Sequence, residues 1–230
     1  MQAFHNDPKL KQKYVERVKA HALADEIIHG TYWENGKGCA VGCTIHGQDH
    51  GLYETELGIT KILARLEDRI FEGMGNGDSK EFPLRFISAI EPGADLSLVW
   101  HQFARWLLVD PTDGVIKFAK TDKIGDAIRA VADLHSRAAR GLQVAEHEWK
   151  SARNAAAAIA AAIAYASDAY AAASTSTSAY AAADADAAAS AYAAYASASY
   201  TSASASYAAR QNAFKQQADK LIELLQGAKL

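Results

Sequence analysis

The chain has 230 residues, half of them hydrophobic, and a formal charge of −3 from 24 basic and 27 acidic side chains. That length fits one large domain or two small ones. The near-neutral balance offers no basic field for nucleic acid and no polybasic patch for a membrane surface.

The opening MQAFHNDPKLKQKY lacks the charged start and apolar run of a secretion signal. No strongly apolar stretch approaches the roughly 18 residues of a membrane span. Two cysteines with three residues between them make no disulfide framework, so a cytoplasmic location is expected.

Asn6-Asp7-Pro8 predicts a helix start, a capping side chain followed by proline where its missing N–H costs nothing. Leu10, Tyr14, Val15, Val18 and Ala22 then recur at helical spacing, and Gly30 is the expected stop. Cys39 to Ile45 reads as a short helix. A longer one follows from Thr60 to Glu72, with Ile62, Leu63, Leu66 and Ile70 inward, and Gly73 to Ser79 reads as a loop. Phe82, Phe86, Ile87 and Ile90 predict a short helix closed by Glu91-Pro92-Gly93. Asp95 caps another, with Leu96, Val99, Phe103, Trp106 and Leu107 inward, and Thr121 or Asp122 caps one carrying Ile124, Ile128, Val131 and Leu134. Val115 to Phe118 is the one run with strand character, too little for a sheet.

Composition breaks near Gly141. From Asn154 to Ala209 there are 30 alanines, seven tyrosines and no lysine or arginine. Alanine has the highest helix propensity, and the tract Ser174 to Ser178 is the weak point. Two long helices are expected, from about Val144 to Ala173 and from Ser178 to Gln226, folded as a hairpin. Tyr200, Tyr207, Phe214 and Leu221 fall seven apart along one seam. The period-two run YASASYTSASASY keeps a silk-like strand or disordered tract open as the alternative. The fold class that follows is all-α: a multi-helix body over residues 1–138 and an alanine-rich hairpin over 139–230.

The chemistry gathers in Trp33 to Gly58, which holds both cysteines, two of the eight histidines and six glycines. Gly36-Lys37-Gly38 leads into the expected short helix, where free N–H groups and a cation suit a small anionic ligand, with Trp33 beside them. The same geometry lowers a thiol's pKa, which makes Cys39 the candidate nucleophile, His50 its base and Glu54 the acid that orients His50 from one turn away. The plainer alternative is that both cysteines are small core residues beside Gly42. Cys39, Cys43, His46 and His50 share one helical face at spacings of 4, 3 and 4. A straight helix spreads them over roughly 16 Å, so they make no four-ligand zinc site. No metal and no cofactor is expected. Tyr32, Trp33, Trp100 and Trp106 fit a core better than a pocket lining.

The segment ARGLQVAEHEWKSARNAAAAIAAAIAYA, running into Ala/Tyr repeats, resembles the C-terminal half of immunity proteins of bacterial toxin systems, over residues 139–225. Residues 1–138, with GCAVGCTIH and ARLEDRIFEG, resemble uncharacterised bacterial and phage-type proteins. The first resemblance implies a protein that works by binding, with a protein or a small anionic ligand as partner. A thiol enzyme built on Cys39 and His50 is the second expectation. Self-association as a homo-oligomer through the Ala/Ser/Tyr face is the third.

Overall fold

The structure is a computed structural model that describes residues 1–119, 121–162 and 207–229. Those residues form nine α-helices, two short 3-10 turns and one two-stranded sheet, the all-α body expected from the sequence. They divide into two compact units, the first made of residues 1–99 with 211–230, the second of 100–210. The division falls at Val99 rather than near residue 139, and the end of the chain belongs to the first unit.

In the first unit, α1 (Pro8–Leu23) begins as expected, with the Asp7 carboxylate accepting from Lys9 N–H. It stops at Leu23, seven residues before Gly30. Residues 26–28 then run beside a small hairpin of β1 (Trp33–Glu34) and β2 (Lys37–Gly38), with Ile28 N–H donating to Gly38 O and Gly38 N–H to Glu26 O. The turn is Asn35-Gly36, both at positive φ (50° and 82°). This is the backbone of a two-residue primed turn, whose twist matches the strands it joins.

Next come α2 (Ala40–Ile45), α3 (Leu52–Leu57), α4 (Lys61–Gly73) and α5 (Asn76–Ala89). α5 absorbs most of the expected Gly73–Ser79 loop. Glycine and serine lower helix propensity there, but Ser79 is buried in the packed side of the helix. α1 packs on α2 and α5, and α4 on α2, α3 and α5. The shared core holds Tyr14, Val18, Leu63, Leu66, Ile70, Phe71, Phe82, Phe86 and Ile87, each 1 % exposed or less. Side chains of this size each contribute about 1.5–3 kcal/mol by burial.

Residues 211–226 of the last helix, α9 (Tyr207–Gln226), belong to this unit and bury Phe214, Ala218, Leu221 and Leu225. The Phe214 ring lies against Gly73, Asp219 meets Arg85 at 2.7 Å, and Lys215 meets Asp78 at 3.1 Å. Phe214 and Leu221 thus occupy the expected seam. Tyr200 and the side chain of Tyr207 lie outside the described residues, as does the hairpin expected between 163 and 206.

The second unit contains α6 (Val99–Val109), α7 (Asp122–Ala138) and α8 (Glu146–Ala162). The Thr121 hydroxyl caps α7 by accepting from Ile124 N–H. The predicted inward face follows, with Ile124, Ile128, Val131 and Leu134 buried. α7 packs on α8, and the Arg137 guanidinium clasps Glu148 through contacts of 2.5 and 3.2 Å. Val115–Phe118, the expected strand candidate, is a 3-10 turn. No helix of the described residues is long and apolar enough to cross a membrane.

Candidate functional site

The hairpin and α2 meet backbone to backbone. A Cβ on Gly42 would lie 1.5 Å from Tyr32 O, and one on Gly38 would lie 2.1 Å from the same atom. Only glycine permits this approach. Gly38 and Gly42 are therefore packing residues, while Gly36 serves the turn through its φ of 82° with open space beside it. Gly38 N–H is held by Glu26 O, and Cys39 N–H by Thr31 O at 2.7 Å. The expected anion cradle at Gly36, Lys37 and Gly38 is corrected on this ground: the Gly38 N–H is taken by Glu26 O, and α2 is only six residues long.

Cys39 caps α2, its Sγ accepting from Gly42 N–H at 3.5 Å. It is 1 % exposed, and Cys43 is fully buried. Burial pushes the Cys39 thiol far above its ordinary value, and the Asp68 carboxylate hydrogen-bonded beside it adds to the shift. The Cys43 thiol is pushed up to about 12, again by burial, and it donates to Gly38 O at 3.4 Å. The expected thiolate is corrected accordingly. Helix N–H groups do lower the Cys39 value, but loss of water and a neighbouring negative charge outweigh them.

His50 sits at the same side of the fold, and the acid facing it is Asp68 of α4, 3.5 Å from Nε2. Glu54 is not its partner. Its Oε1 accepts from Lys61 N–H at 2.9 Å and so caps α4. The expected one-turn pairing fails because α3 begins at Leu52, leaving His50 ahead of the helix.

Behind Asp68 lies Glu67, 1 % exposed, whose Oε2 accepts from Tyr53 Oη at 2.7 Å. Burial raises both groups well above their ordinary values, so this is a neutral pair. Three atoms of this cluster make no hydrogen bond: Asp68 Oδ1, Glu67 Oε1 and His50 Nε2, the last paired only with the Asp68 carboxylate at 3.5 Å. Buried polar groups left so are uncommon in folded proteins. Asp68, Glu67 and Tyr53 were missed in the sequence because they stand on ordinary amphipathic helices with nothing local to mark them.

On the outer side of the hairpin, Trp33 stacks on His46, with ring centres 4.6 Å apart and planes 13° from parallel. His21 meets Trp33 edge-on at 5.5 Å and is joined to Glu26 at 2.6 Å. Arg17 donates to Thr44 O at 2.8 Å next to them. His46 closes α2 in a left-handed conformation, and burial together with the Arg17 charge lowers its pKa. Tyr32, Glu34, Asn35, Lys37 and His46 are exposed around Trp33. Trp33 therefore stays a candidate ligand contact.

In the second unit, the expected core aromatics include Trp100, which is 6 % exposed. His101 and His135 face each other through Nδ1 atoms 3.1 Å apart, both against Trp149. Burial lowers His101 to about 4.

No family model, curated protein or solved structure matches the chain.

Proposed function

We propose that the chain is a helical binding protein of the immunity or anti-defence type, one that sequesters a protein partner. The observation that carries this reading is a contrast within one segment. Both thiols are sealed inside and hydrogen-bonded by their own fold, while Tyr32, 47 % exposed, Lys37 of the hairpin and His46 at the end of α2 face outward beside a half-buried Trp33. Aromatic residues on a rigid support are what interfaces use as anchors, because they supply area at little entropic cost.

A photo-activated cross-linker placed at Tyr32 and produced in the source cells tests the reading. One discrete protein adduct at Tyr32, unaffected by Cys39→Ala, is expected. Adducts that form equally well from the exposed Leu142 of the second unit, or a turnover that disappears with Cys39→Ala, would contradict it.

A second reading has its own observation. The buried carboxylate oxygens of Asp68 and Glu67 that accept no hydrogen bond, with His50 beside them, favour a polar small ligand or acid–base chemistry at α4, with Cys39 as a neutral neighbour rather than a nucleophile. Binding of such a ligand should be abolished by Asp68→Asn and spared by Cys39→Ala.

A further inference from the structure

His21 stands in the last turn of α1, and the exposed His46 closes α2. Their rings meet head-on, Nε2 to Nε2 at 2.8 Å, with ring centres 5.0 Å apart. On the far side of His21, Nδ1 lies 2.6 Å from Glu26 Oε2. A carboxylate only accepts, so Nδ1 carries the proton of His21 and its Nε2 offers a lone pair, into which His46 Nε2–H donates. Trp33 rests on this pair, stacked on His46 with ring centres 4.6 Å apart and crossed by His21 at 5.5 Å.

We propose that the contact is an acid-sensitive latch on the face of Trp33, one that holds with a first added proton and parts with a second, turning His46 aside and uncovering the indole. The order follows from the lone pairs. The first proton enters at His46 Nδ1, which leaves Nε2–H donating and makes the hydrogen bond charge-assisted. For the second proton the remaining lone pair is that of His21 Nε2, the acceptor of the contact itself. Filling it sets two N–H donors against each other, and the hydrogen bond is lost.

The surroundings set the direction and the pH. The charged groups acting on His46 are Arg17 and His21 from α1, Glu26 just beyond it, and Glu56 from α3, which is bonded to the Tyr14 hydroxyl. The hairpin contributes Trp33, an uncharged ring. With one added proton the set is balanced, imidazolium and guanidinium against two carboxylates, and the second proton tips it positive. Burial, with the Arg17 and His21 charges, holds His46 below its ordinary value, so opening falls on the acid side of about pH 6.5. His46 is the ring that moves, because the His21 side chain is 12 % exposed and tied to Glu26. The backbone stays in place. Gly38 and Gly42 remain against Tyr32 O, and Gly38 N–H remains on Glu26 O, through contacts that involve neither imidazole.

The latch sits on the face proposed above for binding and goes beyond that reading, because it works in the free chain. Its failure would leave the binding reading untouched, and the reverse holds too. Imidazole and indole resonances of the isotope-labelled full-length chain are followed by NMR from about pH 8 to about pH 4.5, across the range in which histidines titrate. Trp33→Phe, His21→Ala and His46→Gly identify the three rings. Both imidazoles should report two shared steps, the second proton bound at least about ten-fold more weakly than the first. The Trp33 indole should take its main shift at the second step, while the far-UV circular dichroism stays constant. His21→Ala and His46→Gly should each abolish that shift, glycine being suited to the φ of 54° at position 46. His101→Asn should titrate like the parent chain. Independent single steps for the two histidines, an indole that does not move at the second step, a Trp33 shift that persists in both variants, or one that comes only with loss of the circular dichroism signal overturns the latch.

Discussion

Tyr53 Oη donates to Glu67 Oε2 at 2.7 Å between two side chains that are 0 % and 1 % exposed, so a carboxyl group is enclosed in the core of the first unit with one hydroxyl for company. Burial holds Glu67 well above the ordinary carboxylate range. The folded state therefore keeps a proton that the unfolded chain releases above about pH 4.5. The stability this provides is complete below that value and declines as pH rises towards the folded pKa, by up to about 1.4 kcal/mol per pH unit. Glu67→Gln keeps the acceptor for Tyr53 and removes the titration. Urea unfolding at about pH 5 and about pH 8 should show the variant gaining on the parent chain at the higher pH. A constant difference would mean that Glu67 is ionised in the fold.

His101 carries the opposite sign. Burial lowers it to about 4, so the unfolded chain binds the extra proton first as pH falls below about 6.5. Its contribution is intact above that pH and should fade by about 3 kcal/mol as the pH drops to about 4. Three of the four tryptophans, Trp100, Trp106 and Trp149, lie in the second unit. In a Trp33→Phe background their fluorescence reports this unit alone. Acid unfolding followed that way should be flattened by His101→Asn, which retains a hydrogen-bonding group towards His135.

Gly42→Ala sets a methyl group against the Tyr32 carbonyl, with no flexible side chain to give way. The expected loss is about 3 kcal/mol, the upper end for overpacking. Gly47→Ala, whose added carbon would meet nothing closer than 3.9 Å, should change stability by less than about 1 kcal/mol. Equal effects at the two positions would show that the hairpin does not rest on α2.

Phe214→Ala should cost about 3–5 kcal/mol, because the ring is fully buried against Gly73. Lys215→Ala, one residue on, breaks only the exposed pair with Asp78 and should cost less than about 1 kcal/mol. Thermal unfolding of the two variants measures the difference and asks whether α9 is an integral part of the first unit.

Much of this architecture was legible from local pattern. The caps at Asp7 and Thr121, the short helix after Cys39 and the inward faces of α4 and α7 all follow from spacing and side-chain chemistry. The hairpin is also written in the chain, since Asn35-Gly36 is a strong turn signal, although Gly36-Lys37-Gly38 by itself looks like an anion-binding turn. α5 is longer than its local pattern predicts, because GMGNGDS looks like a loop by propensity, and the side chains of α9 that meet its start, Gln211 at Gly75 and Lys215 at Asp78, come from more than 130 residues away. The site suffered for the same reason. Residues within Trp33 to Gly58 could be found by their concentration, whereas Asp68 beside His50, and His21 beside His46, are joined only by tertiary packing. Burial of Cys39 was likewise invisible, because the glycines that draw the hairpin over it resemble those of a ligand-binding turn.

Both cysteines are sealed in the core, which gives them a part in the fold and none as thiolates. Alkylation of Cys39 in Cys43→Ser protein, followed against pH under native conditions, tests this most directly. Burial predicts no labelling except at the rate of unfolding, with full reaction only once denaturant exposes the thiol. Rapid native labelling with a midpoint below the roughly 8.5 of a free cysteine would contradict it and restore Cys39 as a nucleophile.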